Sequence, residues 1–139
     1  MPTSKDLTTQ VFHLADERRE IDDFTFANKI PIDVRQVKVI TMSGKAVTEG
    51  TPVGNHYHTV ESGRWELFLV IGKGEEPLFK LRTRDPSGEI EEREMKPGDF
   101  CIIPPGRSHS FVGLKSGAQM IGVSNQAYDS EHDVEDKLF

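Results

Sequence analysis

Hydrophobic positions along this chain come in short runs, each closed by a Gly, Pro or Asp/Asn turn signal, and several of them alternate with polar residues. That is the period of β-strands half-buried on one face. Residues 11–14 and 24–26 are short strand candidates, and the β-branched segment 34–41 is a longer one that follows Ile30-Pro31-Ile32-Asp33. Residues 66–71 form a continuous apolar run, as in a barrel wall, closed by Gly72-Lys73-Gly74. Residues 78–84 and 89–95 flank the turn Asp85-Pro86-Ser87-Gly88 and predict a hairpin with an acidic, exposed second strand. Short strands follow at 100–103, 110–112 and 119–124, separated by Pro104-Pro105-Gly106 and Lys115-Ser116-Gly117. The charged run 15–23 reads as a solvated turn or helical turn. The tail 128–139 is acidic, with Val134, Leu138 and Phe139 at near-helical spacing, and predicts a short packed helix or a loosely docked tail. No helix is expected before it. Turn signals recurring this often predict an all-β, antiparallel sandwich or barrel rather than alternating β and α units.

Length and composition narrow the class. At 139 residues the chain predicts a single domain, 1–139, with residues 1–10 as a loose polar arm. A net charge of −6 argues against nucleic acid or an anionic membrane as the main partner, because phosphate surfaces need clustered Lys and Arg. The single cysteine, Cys101, cannot form an intramolecular disulfide, and its apolar strand predicts a buried, inert thiol. The first residues carry no apolar signal core, and no apolar run approaches the roughly 20 residues of a membrane span. A soluble cytoplasmic protein is the expectation.

The chemistry concentrates around residues 50–58, Gly50-Thr-Pro-Val-Gly-Asn-His-Tyr-His58. In a strand, His56 and His58 share a face and Tyr57 takes the opposite one. Two imidazoles side by side can bind a metal, share proton-transfer work, or rest as satisfied polar residues. His13 and His132 are expected at the surface. Trp65 and Tyr57 either wall a pocket or simply pack.

Two segments then combine. Gly50 is followed after five residues by His56-Tyr57-His58, an acid and an apolar strand, and Gly98 is followed after five residues by Pro104-Pro105-Gly106-Arg107-Ser108-His109. This resembles the two signature motifs of the cupin superfamily over residues 50–113, with Gly113 where the second motif ends in Asn. The resemblance implies a jelly-roll β-barrel in which His56, His58, His109 and a glutamate converge. Glu66 has the family offset from its strand, with Ser62-Gly63-Arg64 as a loop insertion, and Glu61 is the alternative acid. Such a set suits a divalent transition metal, Fe, Mn, Ni or Zn, with positions left for water or substrate.

Gly54-Asn-His-Tyr-His58, residues 68–70, Ile103-Pro-Pro-Gly106 with His109, the tail from Tyr128 to Asp133, and upstream Asp16-Glu-Arg18 also look like the sugar-nucleotide 3,4-ketoisomerases of that superfamily. Their Gly-Asn-His-x-His pattern is shared by the cupin domain of capsular-sugar reductases. This implies an isomerase that moves a carbonyl between adjacent carbons of a nucleotide-linked 4-keto-6-deoxy sugar and requires no cofactor. His56, His58 and Tyr57 are then the catalytic candidates. Arg35, Lys38, Arg64, Arg107 and His109 are the substrate-binding candidates. Val53 stands where that family has Arg. The competing readings are a metallo-cupin, either dioxygenase-type or a metal-assisted isomerase, and a non-catalytic module that binds a carbohydrate or small acid. The resemblance also implies a homodimer, for which free edge strands are candidate contacts.

Overall fold

A computed structural model describes residues 9–26 and 32–139 of the chain. Among these it places eleven strands: β1 (Thr9–Ala15), β2 (Arg19–Phe26), β3 (Gln36–Met42), β4 (Val53–His58), β5 (Glu66–Ile71), β6 (Phe79–Arg84), β7 (Glu91–Met95), β8 (Phe100–Ile103), β9 (Ser108–Gly113), β10 (Gln119–Ser124) and β11 (Asp133–Glu135). One helix, α1 (Gly44–Glu49), lies between β3 and β4. The expected loose arm lies outside the described residues over 1–8, whereas Thr9 and Gln10 already pair with β2. Ile30 and Pro31 also lie outside the described residues.

The strands form two antiparallel sheets, β1-β2-β3-β10-β5-β8 and β11-β4-β9-β6-β7, as in a jelly roll. Inward-facing side chains of both sheets make the core. Ile40, Met42, Phe68, Val70 and Met120 come from the first sheet and Phe79, Leu81, Met95 and Phe111 from the second. Phe68 and Phe111 meet across the gap with ring centroids 4.9 Å apart, edge to face. Burial alternates residue by residue along β5 and β6, so the apolar run of β5 has one buried and one half-buried face.

Three elements differ from the sequence expectation. Most of the charged run 15–23 is strand, not turn. Asp16 Oδ1 accepts from the backbone N–H of Arg18 (2.8 Å) and Arg19 (3.1 Å), which closes a tight turn. From Arg19 onward the chain pairs on both sides with β1 and β3. Its charges are met across strands: Asp22 lies 2.7 Å from His13, and Asp23 accepts from Gln36 at 2.8 Å. Helix α1 is a single short stretch that a periodicity window overlooks; Ser43 Oγ caps Ala46 N (3.1 Å), and Gly50 ends it in the left-handed region (φ 69°).

The tail is neither a helix nor loosely docked. A 3-10 turn at Ser130–His132 leads into β11, which pairs with β4 so that Asp133, Val134 and Glu135 face His58, Tyr57 and His56. Beyond it, Asn55 Oδ1 accepts from Leu138 N (3.0 Å), Leu138 is buried, and the Arg82 guanidinium lies 4.2 Å above the Phe139 ring.

Candidate metal centre

Strand β4 sets the geometry. Its register against β9 shifts between Gly54 and His56, a bulge with Gly54 at φ 111° and Asn55 at φ 57°. A Cβ on Gly54 would sit 2.7 Å from His109 O, so only glycine lets β4 approach β9 this closely. After the bulge, His56 lies directly opposite His109, and the period of two brings His58 onto the same face. On the other side of the barrel, Glu66 opens β5 and points inward.

These four residues converge. The ligand atoms of His56, His58, Glu66 and His109 all lie within 4.8 Å of one another. His56 Nε2 is 3.1 Å from His109 Nε2. Glu66 Oε1 is 2.9 Å from His58 Nε2 and 3.5 Å from His109 Nε2. His58, Glu66 and His109 are buried and His56 is half-buried; His56 and His109 line a cavity of about 490 Å³.

The electrostatics suit a cation. Burial pushes the His109 imidazolium down to about 3, against the pull of Glu66, and burial likewise lowers His56 although Asp133 favours its charged form. Both rings are therefore neutral at pH 7 and each keeps a lone pair. Burial alone would raise Glu66, but Lys38, His58, His109 and Arg64 outweigh it and hold the carboxyl well below the usual carboxylate range. Glu66 Oε1 is buried with no well-aligned hydrogen bond, its nearest nitrogen being His58 Nε2 at 2.9 Å. A buried, ionised oxygen and neutral imidazoles aimed at one point form a donor set that fits a divalent transition metal.

A supporting layer surrounds the cluster. Glu66 Oε2 lies 3.4 Å from both Lys38 Nζ and Arg64 Nη2. Arg64 is buried at 3% exposure and also donates to Gln126 O (2.6 Å) and Gln36 Oε1 (2.7 Å). It braces the carboxylate from behind rather than facing the cavity. On the opposite side Asp133 Oδ1 lies 2.8 Å from His56 Nδ1, and Tyr128 donates to Asp133 Oδ2 at 2.7 Å. That hydrogen bond, burial and the Asp133 charge push the Tyr128 phenol up to about 12.

Of the other residues singled out in the sequence, Lys38 lines the cavity. Tyr57 lies on the opposite face of β4, in an outer groove that it shares with exposed Glu61. Arg107 is engaged outside the cavity, with Thr83 at 3.1 Å and Glu91 at 3.0 Å. Arg35 pairs its backbone N–H with Ser124 O and is not among the cavity-lining residues. Cys101 is buried, which pushes its thiol up to about 11. His13 and His132 are paired with Asp22 and Asp129 at the surface. The sequence reading missed Arg18, Arg19, Tyr128 and Asp133 as cavity residues. The Arg pair lay in a segment read as solvated turn, and Asp133 reaches the histidines only through the β11–β4 pairing.

No protein-family model matches the chain, and no curated protein matches it. Solved structures do. The capsular polysaccharide assembling protein CapF from Staphylococcus aureus superposes with a TM-score of 0.71 at 23% identity, over 98% of this chain and 35% of that one. CapF with the inhibitor 3-isopropenyl-tropolone gives 0.70 at 21% identity, over 98% and 37%. Oxalate decarboxylase from Bacillus subtilis gives 0.67 at 16%, over 90% and 30%. The chain thus spans about a third of the length of the solved chains it matches. Two facing antiparallel sheets and these superpositions give the chain a jelly-roll fold, with the His-x-His and Pro-x-Gly-x-x-His segments placed together inside it.

Proposed function

We propose that this chain is a metal-binding cupin that isomerises a small, anionic keto sugar, a nucleotide-linked 4-keto-6-deoxy sugar being the substrate class that fits best. The observation that carries the reading is the convergence of His56, His58, Glu66 and His109 on one point beside a cavity that His56 and His109 line and that is large enough for a sugar ring. A divalent transition metal held by these four residues would supply Lewis-acid polarisation of a substrate carbonyl.

The remaining residues have roles that follow from position. Moving the ketone from C4 to C3 breaks the C3–H bond, places the electron pair in a C3–C4 enediolate, returns a proton to C4, and shifts the C3 hydroxyl proton to the C4 oxygen, so that no net proton is gained or lost. Tyr128 lines the cavity and stays protonated at neutral pH; its single O–H, which Asp133 accepts in the free chain, turns to the oxygen that gains charge when substrate is bound. Arg18, Arg19 and Lys38 line the same cavity. Arg19 Nε is buried with no hydrogen-bond partner, a donor that a phosphate oxygen would satisfy. The arginines thereby take the place of the one absent at Val53. A tropolone, such as the inhibitor bound by CapF, carries adjacent carbonyl and hydroxyl oxygens like an enediol, which agrees with this substrate chemistry.

The metal-free version, with His56 and His58 as acid and base, uses the same cavity and is separated by metal content. The test of the reaction is incubation of the metal-loaded protein with dTDP- and GDP-linked 4-keto-6-deoxy sugars in D2O, followed by NMR. Deuterium entering at C3 and C4 with formation of the 3-keto isomer is expected. Saturable binding without exchange would reassign the chain to a non-catalytic binding role, and oxygen uptake to dioxygenase-type chemistry.

A further inference from the structure

Tyr128 and Asp133 reach the cavity on a segment, residues 128–139, whose own strand pairing is short. β11 is an edge strand of three residues with β4 as its one neighbour among the described residues. A strand that short, bonded on one side, is marginal by itself. Its register is nevertheless defined, with Asp133 opposite His58 and Glu135 opposite His56. Ahead of it the segment is open to solvent: Tyr128 is 56% exposed, and Asp129, Ser130 and Glu131 are exposed too.

The segment is fastened beyond β11, and Asn55 is the centre of the fastening. Its backbone C=O accepts from Asp136 N at 2.8 Å, and its side-chain Oδ1 accepts from both Leu138 N (3.0 Å) and Phe139 N (3.3 Å). The Asp136 carboxylate accepts from Ser108 Oγ at 2.5 Å and from the Arg84 guanidinium. Arg82 Nη1 donates to Leu138 O at 2.9 Å and its guanidinium covers the Phe139 ring, while Leu138 is buried. Asn55 also sits in the β4 bulge at φ 57°, a left-handed conformation that Asn adopts more readily than most side chains. One residue therefore bears on both halves of the His56–Asp133 pair. Its backbone brings His56 into register with His109, and its side chain holds the segment that carries Asp133.

We infer that Asn55 is a positioning residue that locks residues 128–139 onto β4, and thereby keeps Asp133 behind His56 and Tyr128 on the cavity wall. Without Oδ1, the N–H groups of Leu138 and Phe139 lose their acceptor and the three-residue ladder must hold the segment with less support. Local opening then withdraws Asp133 and Tyr128 together, because Tyr128 donates to Asp133 at 2.7 Å. The bulge does not itself need the amide. Glycine keeps a positive φ more easily than Asn, so Asn55→Gly removes the lock and leaves the backbone that places His56. Asn55→Asp retains an acceptor oxygen and also tolerates positive φ. The lock needs no ligand; its effect on metal affinity rests on the metal-binding reading of the histidine cluster.

The experiment is hydrogen–deuterium exchange with mass spectrometry on the full chain in EDTA, for wild type, Asn55→Gly, Asn55→Asp and Arg82→Met, followed by zinc affinity from chelator competition. Asn55→Gly exchanges roughly tenfold or more faster over 128–139, with β5, β9 and β10 unchanged. Asn55→Asp retains the wild-type protection. Arg82→Met loosens the same segment from its other side without touching the bulge, and decides the matter if Asn55→Gly fails to fold. Zinc affinity falls about tenfold in Asn55→Gly and returns in Asn55→Asp, whereas a merely structural role would leave it unmoved. Wild-type exchange over 128–139 in the folded Asn55→Gly and Arg82→Met variants, or faster exchange with undiminished zinc affinity, would overturn the inference. A wild-type chain that takes up no zinc overturns the metal-binding reading instead, and the exchange rates then judge the lock by themselves.

Discussion

His56 and Asp133 come from strands that more than half of the chain separates, yet His56 Nδ1 lies 2.8 Å from Asp133 Oδ1. The carboxylate sits behind the imidazole as an ion-pair partner, with the other nitrogen, Nε2, turned toward His58, Glu66 and His109. A carboxylate behind a metal-facing histidine sets both the ring orientation and its basicity. Asp133→Asn is therefore expected to weaken metal affinity about 10- to 100-fold, by competition with a chromogenic chelator, while the melting temperature of the metal-free protein changes little. Unchanged affinity would remove Asp133 from the site.

The pH dependence of the metal-stripped protein has a definite sign. His109 is held at about 3 in the folded state by burial, against 6.5 for the unfolded chain, so the unfolded state binds more protons between those values. His56 and Glu66, both lowered in the fold, act in the same direction. Stability is fully present above pH 6.5 and is lost as pH falls toward 3, with His109 contributing a slope of about 1.4 kcal/mol per pH unit at most. Urea midpoints across this range check it; a flat profile would contradict the burial of a neutral His109.

Gly54→Ala tests the bulge. The new Cβ meets His109 O at 2.7 Å and the residue must keep φ at 111°, so a loss of about 1–3 kcal/mol is expected, with disturbed metal binding because His56 and His109 lose their register. Equilibrium unfolding reads the first effect and chelator competition the second.

Much of this was legible in the chain, for local reasons. Turn signals and alternation located β5 to β8 and β10 because those strands have one apolar face and short connections. The spacing within 50–58 and 98–109 singled out the three histidines because each histidine segment is a contiguous strand and turn. What escaped was decided at a distance. β2 is strand because β1 and β3 satisfy its charges from either side, which a run of Asp, Glu and Arg does not announce. Tyr128, Asp133 and the guanidinium groups of Arg18 and Arg19 gain their roles only once β11 and the β1–β2 turn are brought to the cavity. Between Glu61 and Glu66 the offset from the apolar strand already favoured Glu66, and the structure agrees: Glu66 turns into the barrel and Glu61 stays exposed outside it.

The central claim is that His56, His58, Glu66 and His109 form one metal site. Elemental analysis after dialysis, on the wild-type chain and on His58→Ala and Glu66→Gln, tests it most directly. One tightly held divalent transition metal per wild-type chain is expected, and its loss from both variants while they remain folded by circular dichroism. A wild-type chain that neither retains nor takes up such an ion, or variants that hold it undiminished, would contradict the claim.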